Sequence, residues 1–531
     1  MLTNTLLVGA ACASLIAGRA RAQDTWVALG VPSLCQAPAG VARIERLERG
    51  AHLVFENERR EVLERPSAAS LPLSSLLAAL QDDAARRRIA LKLLPSAPPI
   101  LARGDAAAVE SVRAALNDLE QFGRALEVEL RVVWLPGRAD LGTHPANSVL
   151  QGALATAEVV GTALLRSGER AELGVRRSQP FLASYSIELA TNSGVAEPSI
   201  GAILSGRTVH VRAARVRAGQ ALHIEGFLDV ARLLEVGAFD PGTKDLGERL
   251  DAPQVDALQV AFSGVVESGG WLALSVEGIP WCAGTLCVQA TTRPDPQNPV
   301  QWRGFDVALL ETRVDELPPV EPQSHGDDGV EPRSLRQPLS SAELAQLGDE
   351  QARGAKNGVR PAALWAPGCL ISSVADSAGN LEIEAVIRAA ERERTREHDV
   401  LVECAGIKVR LPATEGGVVR VLAARESTRL VDYDAVVAQE IWMPEPRVLR
   451  VLDGFDVEGL LEGEALRATA WSTSSGPLRP VSRGESGVGA LTLSERSLRS
   501  GAARVSAGVR REILSPLDQQ PALAVSLERA R

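Results

Sequence analysis

The sequence predicts an α+β protein: a small helix-and-sheet module followed by two β-rich regions joined by a proline-rich linker. Three observations carry that prediction. Val109, Val112, Leu116, Leu119 and Phe122 recur at steps of three and four, the stripe of a half-buried helix. Leu126, Val128, Leu130 and Val132 alternate with Glu127, Glu129 and Arg131, the period of a strand with one wet face. Five prolines, Pro318, Pro319, Pro322, Pro332 and Pro338, crowd into Asp315 to Pro338 with Gly326, Asp327 and Asp328, which favours an extended connector over a packed element. At 531 residues and 45% hydrophobic content, the chain has apolar material for several cores.

Taken in order, residues 1–22 are expected to be a secretory signal. Leu6 to Gly18 is apolar or small, Arg19 interrupts it, and Ala20-Arg21-Ala22 has the small-x-small pattern of a cleavage site. The run falls short of the ~20 apolar residues a membrane span needs, so the mature chain is expected to lack a transmembrane helix and to reside in the periplasm or outer envelope. Residues 23–69 form an N-terminal β segment. Residues 70–137 are the module: a helix over Leu73 to Arg87, strands at Arg88 to Leu94 and Ile100 to Arg103, a second helix capped by Asp105, and the strand from Leu126, with the helices on one sheet face.

Residues 138–312 read as β. Thr208 to Val216 and Gln220 to Val230 flank Ala218-Gly219, while Leu258 to Phe262 and Trp271 to Leu274 flank Ser268-Gly269-Gly270; both patterns predict hairpins. Residues 313–367 hold the linker and a short helix opened by Ser340 with Glu343 at capping-box spacing. Residues 368–531 form the second β-rich domain, with strands at Leu381 to Ala389 and Val400 to Leu411 and the charged run Glu391 to His398 as a solvated loop. Val/Leu strands followed by a glycine-bearing β region lie on both sides of the linker. This hints at duplication, with no residue-level period.

A net charge of -10 excludes the basic face of a nucleic-acid binder. Aromatic content of 3%, with two tyrosines, argues against a stacking platform. No Walker loop, G-x-G-x-x-G or H-E-x-x-H occurs, and Gly484-Glu485-Ser486-Gly487-Val488 lacks the last glycine of a nucleophile elbow. His52, His144, His210, His223, His325 and His398 are scattered, so each is expected to be structural. Asp453-Gly454-Phe455-Asp456-Val457-Glu458 offers oxygens without the further spaced ligands of a calcium loop. No catalytic residue, metal or cofactor is expected. In an oxidising compartment Cys282 and Cys287, around the Gly284 turn, are the first disulfide candidates; Cys369 and Cys404 are the second, and Cys35 is left over.

Pro99-Ile100-Leu101-Ala102-Arg103-Gly104-Asp105, the helix ending Leu116-Asn117-Asp118-Leu119-Glu120, and Leu126-Glu127-Val128-Glu129-Leu130-Arg131-Val132-Val133 together resemble the last periplasmic ring module of bacterial secretins of type II and type III secretion systems. Gly168 to Leu173, Pro198 to Gly201 and the 258–276 stretch resemble strands of the secretin β domain. Ile279-Pro280 with Gly284 and Leu286 is similar to its closing signature. The chain departs from the family in having one readable ring module and a second β region after the linker. The resemblance implies modules that associate side by side, the helices of one against the sheet of the next. It leads to a non-catalytic exported envelope scaffold or ring-forming protein, linked to protein secretion, whose partners are other copies of itself or other envelope proteins. The alternatives are an extracellular β-domain ligand-binding module and an exported hydrolase with an unrecognised site.

Overall fold

A computed structural model of the chain describes residues 27–29, 32, 43–45, 52–55, 62–64, 90–94, 97–138, 141–190, 193–239, 249–296, 299, 302–306, 308–309, 364–366, 369–373, 377–437, 442–475, 479–480, 492–493, 496–515 and 521–529. The expected signal, the Leu73 to Arg87 helix, the proline-rich linker and the Ser340 helix lie outside the described residues.

The chain runs β1 (Val27–Leu29), β2 (Arg43–Glu45), β3 (Leu53–Val54), β4 (Val62–Glu64), β5 (Ala90–Leu94), β6 (Ala97–Arg103), α1 (Ala106–Ala125), β7 (Glu127–Pro136), α2 (Asn147–Leu154), β8 (Glu158–Arg166), β9 (Arg170–Ala190), β10 (Ser193–Val216), β11 (Ala221–Phe239), β12 (Leu250–Glu267), β13 (Trp271–Glu277) and β14 (Gly284–Thr292). It continues through β15 (Trp302–Asp306), β16 (Leu364–Ala366), β17 (Cys369–Ser373), α3 (Ser377–Arg394), β18 (Glu397–Cys404), β19 (Ile407–Thr414), β20 (Val418–Val437), β21 (Trp442–Glu462), β22 (Ala465–Ser475), β23 (Arg479–Pro480), β24 (Thr492–Leu493), β25 (Arg496–Ser506), β26 (Val509–Leu514) and β27 (Leu523–Arg529).

Two antiparallel sheets face each other. One has the order β25-β22-β21-β20-β12-β11-β10, with β9 and the short β3 both on β10; the other is β26-β27-β18-β19-β13-β14-β7-β8. Inward side chains of both fill one core, among them Val128, Leu286 and Val400 from the second sheet and Val209, Val260 and Val457 from the first. Each such side chain contributes roughly 1.5–3 kcal/mol when fully buried. A smaller sheet, β1-β6-β5, carries α1, and a second, β15-β17-β16, precedes α3.

These elements are one architecture used twice. A three-stranded sheet, a long helix and eight strands of the two large sheets recur: β1, β5, β6, α1 and β7 to β14 in the first copy, and β15 to β17, α3, β18 to β22 and β25 to β27 in the second. The pairs β7–β8, β9–β10, β10–β11, β11–β12, β13–β14 and β14–β7 recur as β18–β19, β20–β21, β21–β22, β22–β25, β26–β27 and β27–β18. Across the long hairpin the copies match residue by residue at an offset of 248: Ala171 pairs with Val211, and Val419 with Gly459. Even the β-bulge recurs, between the pairs Ile200–Leu182 and Ser199–Ser184 in the first copy and between Val448–Leu430 and Arg447–Asp432 in the second. A bulge inserts one unpaired residue and is a specified feature, so its identical placement marks a true repeat. The boundary between the copies falls between β14 and β15.

The α+β expectation is therefore corrected: the chain is predominantly β, with three α-helices among the described residues. Three local readings account for the difference. Glu127 to Val132 does form a strand, the start of β7, with Leu126 capping α1, but it pairs with β14 and β8 in the large sheet and leaves the module's own sheet. Its two faces fill different cores, Val128, Leu130 and Val132 on one side and Val133 and Leu135 on the other. Ser268-Gly269-Gly270 does turn the chain, yet β12 and β13 belong to opposite sheets, and the Gly269 amide donates to the Ala290 carbonyl, 2.8 Å away. Leu381 to Ala389 is helix α3, because its buried residues Asn380, Ile387 and Glu391 follow helical spacing while Leu381 stays exposed. The charged run ends this helix and opens β18, and Glu391 and His398 are buried.

α1 shows how one copy is fastened to the next. The Asp105 carboxylate caps it by accepting from the Ala108 amide at 2.7 Å. Its stripe packs on Ile100 and Ala102 of its own module and on Trp302 and Ile371 of the second. The Trp302 amide donates to Asp118 Oδ2 at 3.0 Å. Gly304 lies under Phe122, where an added Cβ would come within 2.3 Å of the ring.

Candidate functional site

The feature that unites the two copies is a seam of paired strands. β12, the last long strand of copy one, pairs antiparallel with β20, the first long strand of copy two, from Gln254 opposite Ser427 to Ala261 opposite Arg420. In the facing sheet, β13 pairs with β19 from Ser275 opposite Arg410 to Glu277 opposite Lys408. Each ladder bond contributes about 0.5–1.5 kcal/mol net, and Val255, Ala257, Leu258, Val260, Val421 and Ala423 are buried along it.

Three of the histidines that are far apart in sequence meet carboxylates or hydroxyls at this seam. His52, beside β3, places Nε2 2.8 Å from Asp229 Oδ1 on β11 and Nδ1 3.4 Å from Glu426 Oε2 on β20. The amides of His52 and Leu53 donate to the two Glu426 oxygens at 2.9 and 3.0 Å. Arg176 donates to Asp229 Oδ2 at 2.9 Å, and Arg450 lies 3.5 Å from Glu426. Burial works against a charge on His52, but the Asp229 and Glu426 carboxylates outweigh it and lift the imidazole to about 10. Burial likewise opposes ionisation of Asp229, and His52 and Arg176 overcome it to hold that carboxyl at about 2.

The second cluster joins His223 of β11 to Thr414 of β19, Nε2 to Oγ1 at 2.8 Å; Thr414 in turn contacts Ser263 Oγ of β12 at 2.9 Å. Burial lowers the His223 imidazole to about 4, so it acts as a neutral ring. In the third, His144 Nε2 lies 2.7 Å from Glu397 Oε1, the Val265 amide donates to Glu397 Oε2 at 3.1 Å, and Thr143 Oγ1 donates to Asp399 Oδ1 at 2.7 Å. The Glu397 hydrogen bond raises the His144 imidazole against the effect of burial. Across the outer part of the seam, Arg425 Nε reaches Asp256 Oδ1 at 2.9 Å.

These groups are clamps between copies. His223, Ser263 and Thr414 lie buried in the packed interior. No group of three or more metal-ligating side chains occurs among the described residues. A cleft of about 750 Å³ opens between α3 and the strand that follows the copy boundary, lined by Arg215, Asp295, Asp306, Glu384 and Glu391 among others. Burial raises the Glu391 carboxyl to about 7 and that of Asp306 to about 6, although Arg215 opposes the latter shift.

Cys282, Cys287, Cys369 and Cys404 are buried and form no disulfide with one another. The expected pairs are divided between separate cores: Cys282 and Cys404 in the main core, Cys287 beside Trp271 and Leu150, and Cys369 under α1. β17 and β18, which carry Cys369 and Cys404, are not neighbours in any sheet.

Sequence reasoning found no residue-level period for the duplication that creates the seam, although signals for it were present. The two tyrosines of the chain, Tyr185 and Tyr433, are equivalent, as are Glu197-Pro198 and Glu445-Pro446 and the glycines Gly206 and Gly454. Tyr185 pairs with Pro198, and Tyr433 with Pro446.

No family model matches the chain, and no curated protein matches it. Some solved structures show a weak likeness of fold. The secretin-domain β-barrel of InvG from the Salmonella injectisome is 12% identical over 52% of this chain and 90% of that one, with a TM-score of 0.23. The type II secretin XcpQ of Pseudomonas aeruginosa is 13% identical over 47% and 77%, with a TM-score of 0.20. The competence-pilus secretin PilQ of V. cholerae is 9% identical over 38% and 66%, with a TM-score of 0.18.

Proposed function

We propose that the chain is a non-catalytic exported envelope scaffold that assembles into larger structures, with a role in protein secretion of the kind its secretin-like residues imply. The observation that carries the reading is the seam itself. The chain places two copies of one β body side by side and joins them by backbone pairing, and the charged and polar groups converging there act as fasteners. Such a joint is heterologous, last edge to first edge, and a heterologous joint repeats. The signal-like pattern of residues 1–22 supports an envelope address for that role. The test is size-exclusion chromatography with light scattering on the chain lacking residues 1–22, across a concentration series. Species larger than one chain are expected, and a clean monomer at every concentration contradicts the reading.

A further inference from the structure

The inner seam uses one edge from each copy and leaves the equivalent outer edges paired on one side only. β25 is the counterpart of β12 and ends the first sheet; β9 is the counterpart of β20 and, among the described residues, pairs only with β10. In the second sheet the terminal strands are β26 and β8, the counterparts of β13 and β19. Each of these four strands carries an exposed large hydrophobic residue: Val159 and Leu164 on β8, Val175 on β9, Leu498 on β25 and Val509 on β26. The comparison with the inner seam is direct. Ala257 and Ala423 are 2% and 7% exposed there, while their counterparts Leu498 and Val175 are 58% and 67% exposed.

We infer that the outer edges are a docking surface for a second copy of this chain, with β25 of one chain pairing antiparallel with β9 of the next in the register of the inner seam. The inference deepens the scaffold reading and rests on it. The register follows from the repeat. β22 pairs with β25 as β11 pairs with β12, with Arg496 opposite Ser475 and Val255 opposite Leu233. Val255 faces Glu426 and Leu258 faces Ala423 at the inner seam. Transferred to the outer edges, Arg496 faces Ser178 and Arg499 faces Val175.

Each chain thus supplies two bodies, and a closed assembly of such chains holds an even number of them. The outer joint differs from the inner one in charge. The pair Asp256 and Arg425 of the inner seam is replaced by Ser497 and Arg177, and Arg496 lies one position away on the same strand. Like charges across paired strands oppose association, and salt screens them over ~10 Å at about 0.1 M. Assembly therefore tightens as ionic strength rises.

The experiment uses the full chain with paired substitutions under mild oxidation, read on non-reducing gels beside light scattering. Val175→Cys with Arg499→Cys, and Ser178→Cys with Arg496→Cys, cover both kinds of antiparallel pair, one of which brings the side chains closer. Ladders of bridged chains are expected from at least one of these and not from the slipped pair Val175→Cys with Gly501→Cys. Leu498→Asp with Val175→Asp leaves the inner seam untouched and is expected to raise the chain concentration needed for assembly at least tenfold. Oligomers without bridges, or with bridges only in the slipped pair, overturn the register and the edge while leaving the scaffold reading in place. A monomer under all salt conditions overturns both.

Discussion

Asp229→Asn is the sharpest perturbation of the buried charge cluster that holds His52 against Glu426 at the inner seam. It removes the charge that holds His52 at 2.8 Å and Arg176 at 2.9 Å, both in the interior, and keeps the side-chain shape. Breaking a buried ion pair by deleting one partner costs about 3–5 kcal/mol, because the other charge is left uncompensated. At roughly 3 kcal/mol per M of urea, that is a fall of about 1 M or more in the midpoint of the unfolding transition. The companion Asp256→Asn breaks the pair with the half-exposed Arg425 and is expected to cost under about 1 kcal/mol. Both are measured by urea unfolding followed by tryptophan fluorescence at neutral pH. The reasoning is refuted if Asp229→Asn is no more damaging than Asp256→Asn.

Four further predictions follow from the same geometry. Because the folded pKa of Glu391 is raised to about 7, its contribution is full below about pH 4.5 and is lost as pH rises to 7; melting temperatures of Glu391→Gln should show no such loss, and a parallel decline in both proteins contradicts this. His52, raised to about 10, gives stability that is full below about pH 6.5 and lost toward pH 10, so His52→Gln should flatten the alkaline limb of the stability profile, and an unchanged limb contradicts it. Gly206→Ala and Gly454→Ala should each cost about 1–3 kcal/mol, since the new Cβ would lie 2.1 Å from the Val175 carbonyl oxygen in one copy and 2.2 Å from that of Ala423 in the other; a tolerated substitution at either site breaks the equivalence. Alkylation of the unfolded, unreduced protein should label Cys282, Cys287, Cys369 and Cys404, and a bridged Cys282–Cys287 peptide contradicts the placement of those two residues in separate cores.

Local signals in the sequence held where one element decides its own conformation. The Val109 to Phe122 stripe, the Asp105 cap and the turn at Ala218-Gly219 all correspond to the elements they predict. Signals failed where the partner of an element is chosen at long range. The alternation of Leu126 to Val132 identifies a strand, but nothing local says that it joins β14 across more than 150 intervening residues. Leu381, Ile383 and Ala385 mimic a period of two, and only the burial of Asn380 and Ile387 reveals a helix. The duplication was legible only as a hint, because selection on such strands keeps polarity and turn geometry more than identity. Its fixed points, Gly168 with Gly416 and Gly206 with Gly454, are places where a Cβ meets strain or backbone. The seam was not legible at all. His52, Asp229 and Glu426 become neighbours only after two copies have been laid edge to edge.

The most direct measurement is an intrachain bridge across the inner seam of the full chain, with Ala257→Cys and Ala424→Cys, which face each other in β12 and β20. Leu258→Cys with Ala423→Cys serves as the neighbouring pair of opposite hydrogen-bonding type. At least one pair should bridge within a single chain, leaving the mass of the unfolded species unchanged and holding residues on both sides of the copy boundary together after cleavage between β14 and β15. Failure of both pairs to bridge, or bridges that form only between different chains, would contradict a tandem pair of bodies joined by that seam.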